Sequence, residues 1–387
     1  MNNIFNFLSA TDVRFGIGAV KQVGQACRDL SVKKVLVVSD PFMVSSGNVT
    51  KVTDVLDDEG IEYSVYSDFE ASPSIEQVAN ASDLMKENGF EGIIGFGGGS
   101  SLDTGKAIAV LNSNDMPVEQ YFGIDKVPNP VCPLIMIPTT AGTGSEVSNA
   151  CILRNAETGV KGGICSRFLM ADIAICDPEM TVSCPPALTA AVGMDAYTHC
   201  IEGYVSNNAN ILTRTFHREA IKLISSNLRK AVANGNDIEA RYNMMLGSTY
   251  AGWAMAVASL GACHAMAYAL EGKYHAPHGA ANAALLPAVM RYNALGNLSL
   301  FKEIAVLMGE NVSGLNDRDA AYKAVTAVQQ MVDDIDIKGV SELGMTEDDI
   351  EDFAKKTMKN QTRLLNFNPR RLTEETCAAI YRDALGK

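Results

Sequence analysis

"EGIIGFGGGSSLDTGKAIAVLNS", residues 91–113, runs from an apolar stretch through three consecutive glycines into a helix-periodic segment. The run around Ile93 and Ile94 suits a buried strand, and the alternation of small and apolar residues after Ser101 suits a helix packed on it. Glycine lacks a Cβ, so Gly97, Gly98 and Gly99 let the backbone turn sharply and approach a ligand. The N–H groups that open the following helix, together with its dipole, favour an anion such as a pyrophosphate. The same glycines also serve as plain turn chemistry. The run departs from the G-x-G-x-x-G fingerprint, because Ser100 stands at its last glycine.

Working outward, strand and helix alternate through the first half. "KKVLVVSD" (33–40), "IEYSVYSD" (61–68) and "PLIMIP" (133–138) read as strands. "GNVTKVTDVLDDEG" (47–60) and "SIEQVANASDLMKENG" (74–89) read as helices, the second opened by Ser74 in a capping box with a glutamate as partner. Such alternation predicts a parallel sheet covered on both faces. Asp40 ends the first strong strand, where ligands of open α/β sheets bind. It suits the hydroxyls of an adenosine ribose, or else a turn before Pro41. "IPTTAGTGSEVS" (137–148) is a further loop rich in glycine and hydroxyls after a strand, with Thr139, Thr140 and Thr143 available to phosphate or ribose.

From about Pro185 the pattern becomes helical. The division predicted is an α/β dinucleotide domain over 1–184 and a helical domain over 185–387. Within the second, "GMDAYTHCIEG" (193–203) sets Asp195 four residues before His199, on one helix face. An isolated pair of this kind is also compatible with a helix surface or with a core histidine satisfied by a carboxylate. His264 and His278, 14 residues apart in "CHAMAYALEGKYHAPHG", complete a set of one carboxylate and three imidazoles, from a chain with five histidines. Such a set leaves an open position on a divalent ion, as catalytic sites do. Imidazole with carboxylate suits Fe²⁺, Zn²⁺, Mn²⁺ or Co²⁺. Another histidine, His217 in "TFHREAIKL", reads as a surface residue.

Bulk properties exclude several classes. The 387 residues exceed one hydrophobic core, and the net charge of −13 opposes nucleic acid or an anionic membrane as partner. Nine scattered cysteines without C-x-x-C suit free thiols in a reducing cytoplasm. "MNNIFNFLSATDVRFG" lacks the pattern of an export signal. Tyr250 to Leu270 runs 21 residues without a formal charge, yet its alanine and glycine content suits the buried centre of a helical bundle better than a membrane span.

Taken together, "GGGSSLDTGK", "PTTAGTGSE", "GMDAYTHCIEGYVS" and "PHGAANAALLPAVMRYN" resemble the iron-containing, group III alcohol dehydrogenase family, from "FGIGAV" near residue 15 to "NPRRLT" near 368. The resemblance implies a dehydroquinate synthase-like fold, α/β plus all-α, with an N-terminal Rossmann-like domain, a C-terminal helical bundle and a homodimer or higher homo-oligomer. It places Asp195, His199, His264 and His278 as metal ligands, with Fe²⁺ before Zn²⁺. It places Gly97, Gly98, Gly99, Ser100, Asp103, Thr139, Thr140, Thr143 and Lys161 along the dinucleotide, with Asp40 as the acidic residue associated with NAD(H). Two positions depart from the family pattern: Tyr268 stands where a second substrate-facing histidine is usual, and Ser72 where an asparagine near the nicotinamide is usual.

The expected activity is oxidation of a small alcohol or reduction of an aldehyde, with hydride moving to or from the nicotinamide. With Tyr268 at the histidine position, His275 is the expected proton acceptor, its ordinary pKa near neutrality suiting the task; Tyr268 is expected to shape the pocket and donate a hydrogen bond. An anionic aldehyde, a sulfonate or carboxylate, is the alternative substrate if Arg363 or Lys273 faces it. A lyase of the dehydroquinate synthase type is the alternative reaction, although the metal region is short of the basic residues that a phosphorylated substrate needs. A nucleotide- or metal-binding regulator without catalysis is the non-enzymatic alternative, and the retained ligand set speaks against it.

Overall fold

The computed structural model describes residues 4–9, 11–70, 73–115, 117–154 and 161–386, with Lys161 described in its backbone only. The chain divides into two compact units, Leu8–Ser183 and the chain from Cys184 onward. The described residues before Leu8 group with the second unit, where Phe7 stacks on Phe216 at 5.7 Å between ring centroids.

Among the described residues of the first unit nine strands form: β1 (Asp12–Phe15), β2 (Lys34–Val38), β3 (Glu62–Tyr66), β4 (Gly92–Gly97), β5 (Gly123–Ile124), β6 (Leu134–Pro138), β7 (Ala150–Arg154), β8 (Lys161–Cys165) and β9 (Ile173–Cys176). Six of them make one sheet in the order β1-β9-β6-β4-β2-β3, every neighbouring pair parallel. The remaining three make a small sheet in the order β5-β8-β7. Both faces of the large sheet are buried, as parallel sheets require. Val35, Val37, Ile94, Phe96, Ile135 and Ile137 join one core, while Leu36, Val38, Ile93, Leu134 and Met136 join the other. The helix Gly99–Ser113 is buried on nearly all sides, which explains why its apolar residues are not confined to one stripe.

Ser74 does cap the helix Ile75–Asn88, but the reciprocal partner is Gln77 and not a glutamate. Gln77 stands three residues on, at the position whose side chain can reach back to the cap; Glu76 stands one short.

The second unit is helical. The helices Pro186–Val205, Ile211–Ala233 and Ile238–Ala258 pack on one another, and glycines allow the close approach. A Cβ at Gly193 would lie 2.3 Å from Leu228 Cδ1, and one at Gly247 would lie 2.7 Å from Ile224 Cγ1. His217 is a correction: it is fully buried, against the glycine face of the first helix, where a Cβ on Gly203 would lie 2.3 Å from its ring. Burial pushes its imidazole down to about 3. The charges around it mark the other face of an amphipathic helix. The uncharged Tyr250–Leu270 stretch is broken between Ala258 and Ala262, where the chain bends by 101°, and no single described helix is long and apolar enough to cross a membrane.

Candidate metal centre and dinucleotide end

The helix Pro186–Val205 carries Asp195, His199 and Glu202 at spacings of four and three; the helix Ala262–Tyr274 carries His264, Tyr268 and Glu271 at the same spacings. The helix His278–Ala294 opens on His278 and carries Asn282 one turn later. Each stripe lies on one face of its helix, and the helices bring the stripes together. Three imidazole Nε2 atoms converge on Asp195 Oδ1: His199 at 3.8 Å, His264 at 3.6 Å and His278 at 3.6 Å. Among the described residues, Asp195, His199 and His264 form the group whose ligand atoms all lie within 4.8 Å of one another; His278 reaches the same carboxylate oxygen.

These separations are too long for good hydrogen bonds. They suit the edges of a coordination polyhedron, since ligand atoms about 2.1 Å from a tetrahedral ion stand roughly 3.4 Å apart. His264 Nε2 is buried without a hydrogen-bond partner among the described residues, which is costly unless something else satisfies it. The residues present therefore fit a divalent cation.

Further carboxylates fix the rings. His264 Nδ1 lies 2.6 Å from Glu202 Oε2, and His278 Nδ1 lies 2.5 Å from Glu271 Oε1. A carboxylate at Nδ1 selects the tautomer whose Nε2 lone pair is free for a metal. Glu202 also accepts from the backbone N–H of Cys263 at 2.6 Å, so it caps the helix it orients. Gly261 before that helix has no room for a side chain: a Cβ would lie 2.8 Å from Asn368 Oδ1. Asn282 Nδ2 donates to Asp195 Oδ1 at 3.0 Å and lies 3.2 Å from His278 Nε2. Glu202, Glu271 and Asn282 were not singled out from the sequence, although they lie seven residues after Asp195, seven after His264 and four after His278, spacings that share a helix face.

The electrostatics favour positive charge. Burial alone would lower His264, but Asp195 and Glu202 outweigh it and hold the ring up at about 9. His278 is likewise raised against burial by Asp195 and Glu271. His199 is pushed down to about 4 by burial, which Asp195 only partly offsets. Burial would raise Asp195, yet the surrounding histidines hold it far below the usual carboxylate range. A pocket that retains protons on imidazole in this way also retains a dication.

Tyr268 lies one turn after His264, its ring 6.0 Å from that of His278. His275 caps the C-terminus of its helix in the left-handed conformation, with φ of 53°, and is exposed. Lys273 pairs with Asp349, Arg363 is exposed, and Leu364 is buried.

In the other unit, Asp40, the Gly97–Ser100 turn and the Thr139–Gly144 loop leave the carboxyl ends of β2, β4 and β6, three adjacent strands. Thr139 N donates to Gly97 O at 2.9 Å. A Cβ on Gly99 would lie 2.7 Å from Thr143 Cγ2, and one on Gly98 would lie 3.7 Å from Thr140, so the loop sits on the glycine turn. No side chain caps the helix that starts at Gly99, which leaves its N-terminal dipole for an anion. Asp40 Oδ1 accepts from Phe42 N and Met43 N at 3.0 Å each, while Oδ2 lies 3.4 Å from Ser101 Oγ. It is thus both the turn residue and a neighbour of the glycine turn.

Asp103 faces inward: it accepts from Ser145 Oγ at 2.7 Å and Ile152 N at 3.0 Å, and burial raises its carboxyl. Lys106, fully buried, donates to the carbonyls of Ser145 at 2.5 Å, Ser148 at 2.7 Å and Ala150 at 3.2 Å. The two residues pin the loop from below; a lysine inside the apolar run "GKAIAV" was the signal for the second. The Lys161 side chain and Ser72 lie outside the described residues.

The iron-containing alcohol dehydrogenase family matches residues 10–178, and the C-terminal part of the Fe-containing alcohol dehydrogenase family matches residues 189–385. The chain is 40% identical to 1,3-propanediol dehydrogenase of Klebsiella pneumoniae, over 98% of this chain and 99% of that one. A crystal structure of 1,3-propanediol oxidoreductase superposes with a TM-score of 0.96 at 40% identity, over 99% of this chain and 100% of that one. Sulfoacetaldehyde reductase from Bifidobacterium kashiwanohense, solved in complex with NAD⁺, superposes with a TM-score of 0.89 at 29% identity over 98% of each chain. Neither family match supports the lyase alternative. With its two halves matched in order and a ligand set that converges as a metal site must, the chain belongs to the iron-containing alcohol dehydrogenases, oxidoreductases acting on CH–OH groups.

Proposed function

We propose that this enzyme interconverts a small, uncharged alcohol or diol and its aldehyde, with NAD(H) as cofactor and Fe²⁺, or else Zn²⁺, as the bound ion. The observation that carries the reading is the convergence of three imidazole nitrogens on Asp195. Asp195, His199, His264 and His278 hold the ion. When bound, the ion supplies Lewis-acid polarisation of the substrate oxygen and the nicotinamide supplies or accepts hydride. Gly97, Gly98, Gly99 and Ser100 cradle the pyrophosphate; Thr139, Thr140, Thr143 and Lys161 line the cofactor, with Asp103 holding their loop. Asp40 receives ribose hydroxyls and repels a 2′-phosphate. Tyr268 shapes the substrate pocket and donates a hydrogen bond, and the exposed His275 passes the alcohol proton to water. The dinucleotide role belongs to the unit ending at Ser183 and the metal role to the helical unit.

Charge favours an uncharged substrate over an anionic one. Asp195, Glu202 and Glu271 are three buried carboxylates at the centre, Lys273 is engaged by Asp349, and Arg363 is exposed. The similarity to 1,3-propanediol dehydrogenase points the same way. Nine free cysteines suit a reducing cytoplasm, and we expect a homodimer, testable by light scattering. The deciding experiment follows NADH absorbance over a panel of short alcohols, diols and sulfonated or carboxylated aldehydes, before and after chelation. Chelation should abolish turnover and Fe²⁺ or Zn²⁺ should restore it. Turnover that survives complete chelation, or a preference for the anionic aldehydes, would overturn the corresponding part of the reading.

A further inference from the structure

We infer that Glu271 is the positioning residue that makes His278 a metal ligand, an inference that rests on the metal reading above. His199 and His264 are locked by packing, with side chains 5% and 2% exposed, whereas the His278 side chain is 36% exposed. Packing therefore holds the His278 ring less tightly than the other two, and more of its orientation falls to its hydrogen bonds. Glu271 is buried and places Oε1 2.5 Å from His278 Nδ1. It does so from the far end of the helix that carries His264, seven residues on and on the same face. Its carbonyl also accepts from His275 N at 3.0 Å, closing that helix just before the connector to His278. One residue thus ends the first helix and aims the first side chain of the next.

The consequence is a defined tautomer. With a carboxylate at Nδ1, His278 keeps its proton there and presents the Nε2 lone pair, 3.6 Å from Asp195 Oδ1. Without it, among the described residues only Asn282 Nδ2, 3.2 Å from Nε2, still contacts the polar atoms of the partly exposed ring, and the ligand set falls back toward the three groups on the other two helices. Among the described residues His199 has no such orienting partner, its Nδ1 being buried without a hydrogen bond.

The test compares wild type, Glu271→Gln and Glu271→Ala by chelator-competition titration with Co²⁺, by the visible absorption of the Co²⁺ protein, and by NADH fluorescence. Glu271→Ala should weaken Co²⁺ binding about 10- to 100-fold, the usual effect of removing a ligand's hydrogen-bond partner, and shift the Co²⁺ spectrum. Glu271→Gln, which still offers an acceptor oxygen, should lose less. NADH affinity and the melting temperature of the chelated Glu271→Gln protein should match wild type. Wild-type affinity and spectrum in Glu271→Ala would overturn this inference alone, as would a loss in Glu271→Gln accompanied by an equal loss of chelated-state stability. A wild-type chain that takes up no divalent ion would overturn the metal reading and this inference with it.

Discussion

Gly279→Ala should damage the metal centre through a single methyl group. Gly279 sits in the first turn of the helix His278–Ala294, and a Cβ there would lie 2.2 Å from the Ala191 carbonyl oxygen, 2.7 Å from the Ala191 carbonyl carbon and 3.3 Å from Asp195 Cβ. The obstacle is the backbone of the helix that carries Asp195, so no side chain can swing aside. Carbon needs about 3.5 Å, so the two helices must part by roughly 1 Å. Two effects compete. Alanine is the better helix former by about 1 kcal/mol, whereas overpacking a close contact costs about 1–3 kcal/mol. Because the contact is with main chain, the upper part of that range applies and the net loss is about 1–2 kcal/mol. At about 2–4 °C per kcal/mol for a unit of this size, calorimetry of the chelated protein should show a fall of roughly 2–8 °C. Displacing His278 from Asp195, now 3.6 Å apart, should also weaken Co²⁺ binding at least tenfold, read by chelator competition. A Gly279→Ala protein that melts at or above wild type and binds Co²⁺ as tightly would refute the close approach on which the site geometry depends.

Asp40→Gly should raise use of NADP⁺ and weaken NAD⁺, measured as kcat/KM for each; it also removes the cap of the helix Pro41–Ser45, at a cost of a few tenths of a kcal/mol. A wild type that prefers NADP⁺ would contradict the role given to Asp40. Tyr268→Phe should keep most of kcat and change KM or substrate preference, whereas His275→Ala should depress kcat; the opposite pattern would make the tyrosine the proton relay. Glu146 is buried and its carboxyl is pushed up to about 7 by burial, with Lys106 opposing. A folded-state pKa above the unfolded value means that the native state holds the extra proton between about 4.5 and 7. The contribution is therefore full below that window and lost as pH rises through it, up to on the order of 3 kcal/mol. Glu146→Gln should flatten the decline of denaturant stability from pH 5 to pH 8, and an unchanged slope would show that Glu146 is not the group responsible.

Much of the sheet unit was legible because its signals are local. The strand at 91–99, the glycines and the helix after them declare themselves by composition, and the structure places them as β4, a turn and Gly99–Ser113. Asp40 and the threonine loop could be named because ligand loops leave the carboxyl ends of strands, although only strand order shows that β2, β4 and β6 are neighbours. Asp103 shows the limit: the motif marks it for the cofactor, while its hydrogen bonds to Ser145 and Ile152 hold the loop.

In the helical unit, helical spacing alone puts Asp195 with His199 and His264 with Tyr268 on shared faces. Which faces meet depends on packing between segments. It set Glu202 behind His264 and Glu271 behind His278, buried His217 against Gly203, and bent the uncharged Tyr250–Leu270 stretch into two helices. The physical reason is that helix periodicity is a property of one segment. A carboxylate becomes a histidine's partner only when two segments pack closely enough, here through glycines such as Gly279, to exclude water and bring their polar atoms within hydrogen-bonding distance.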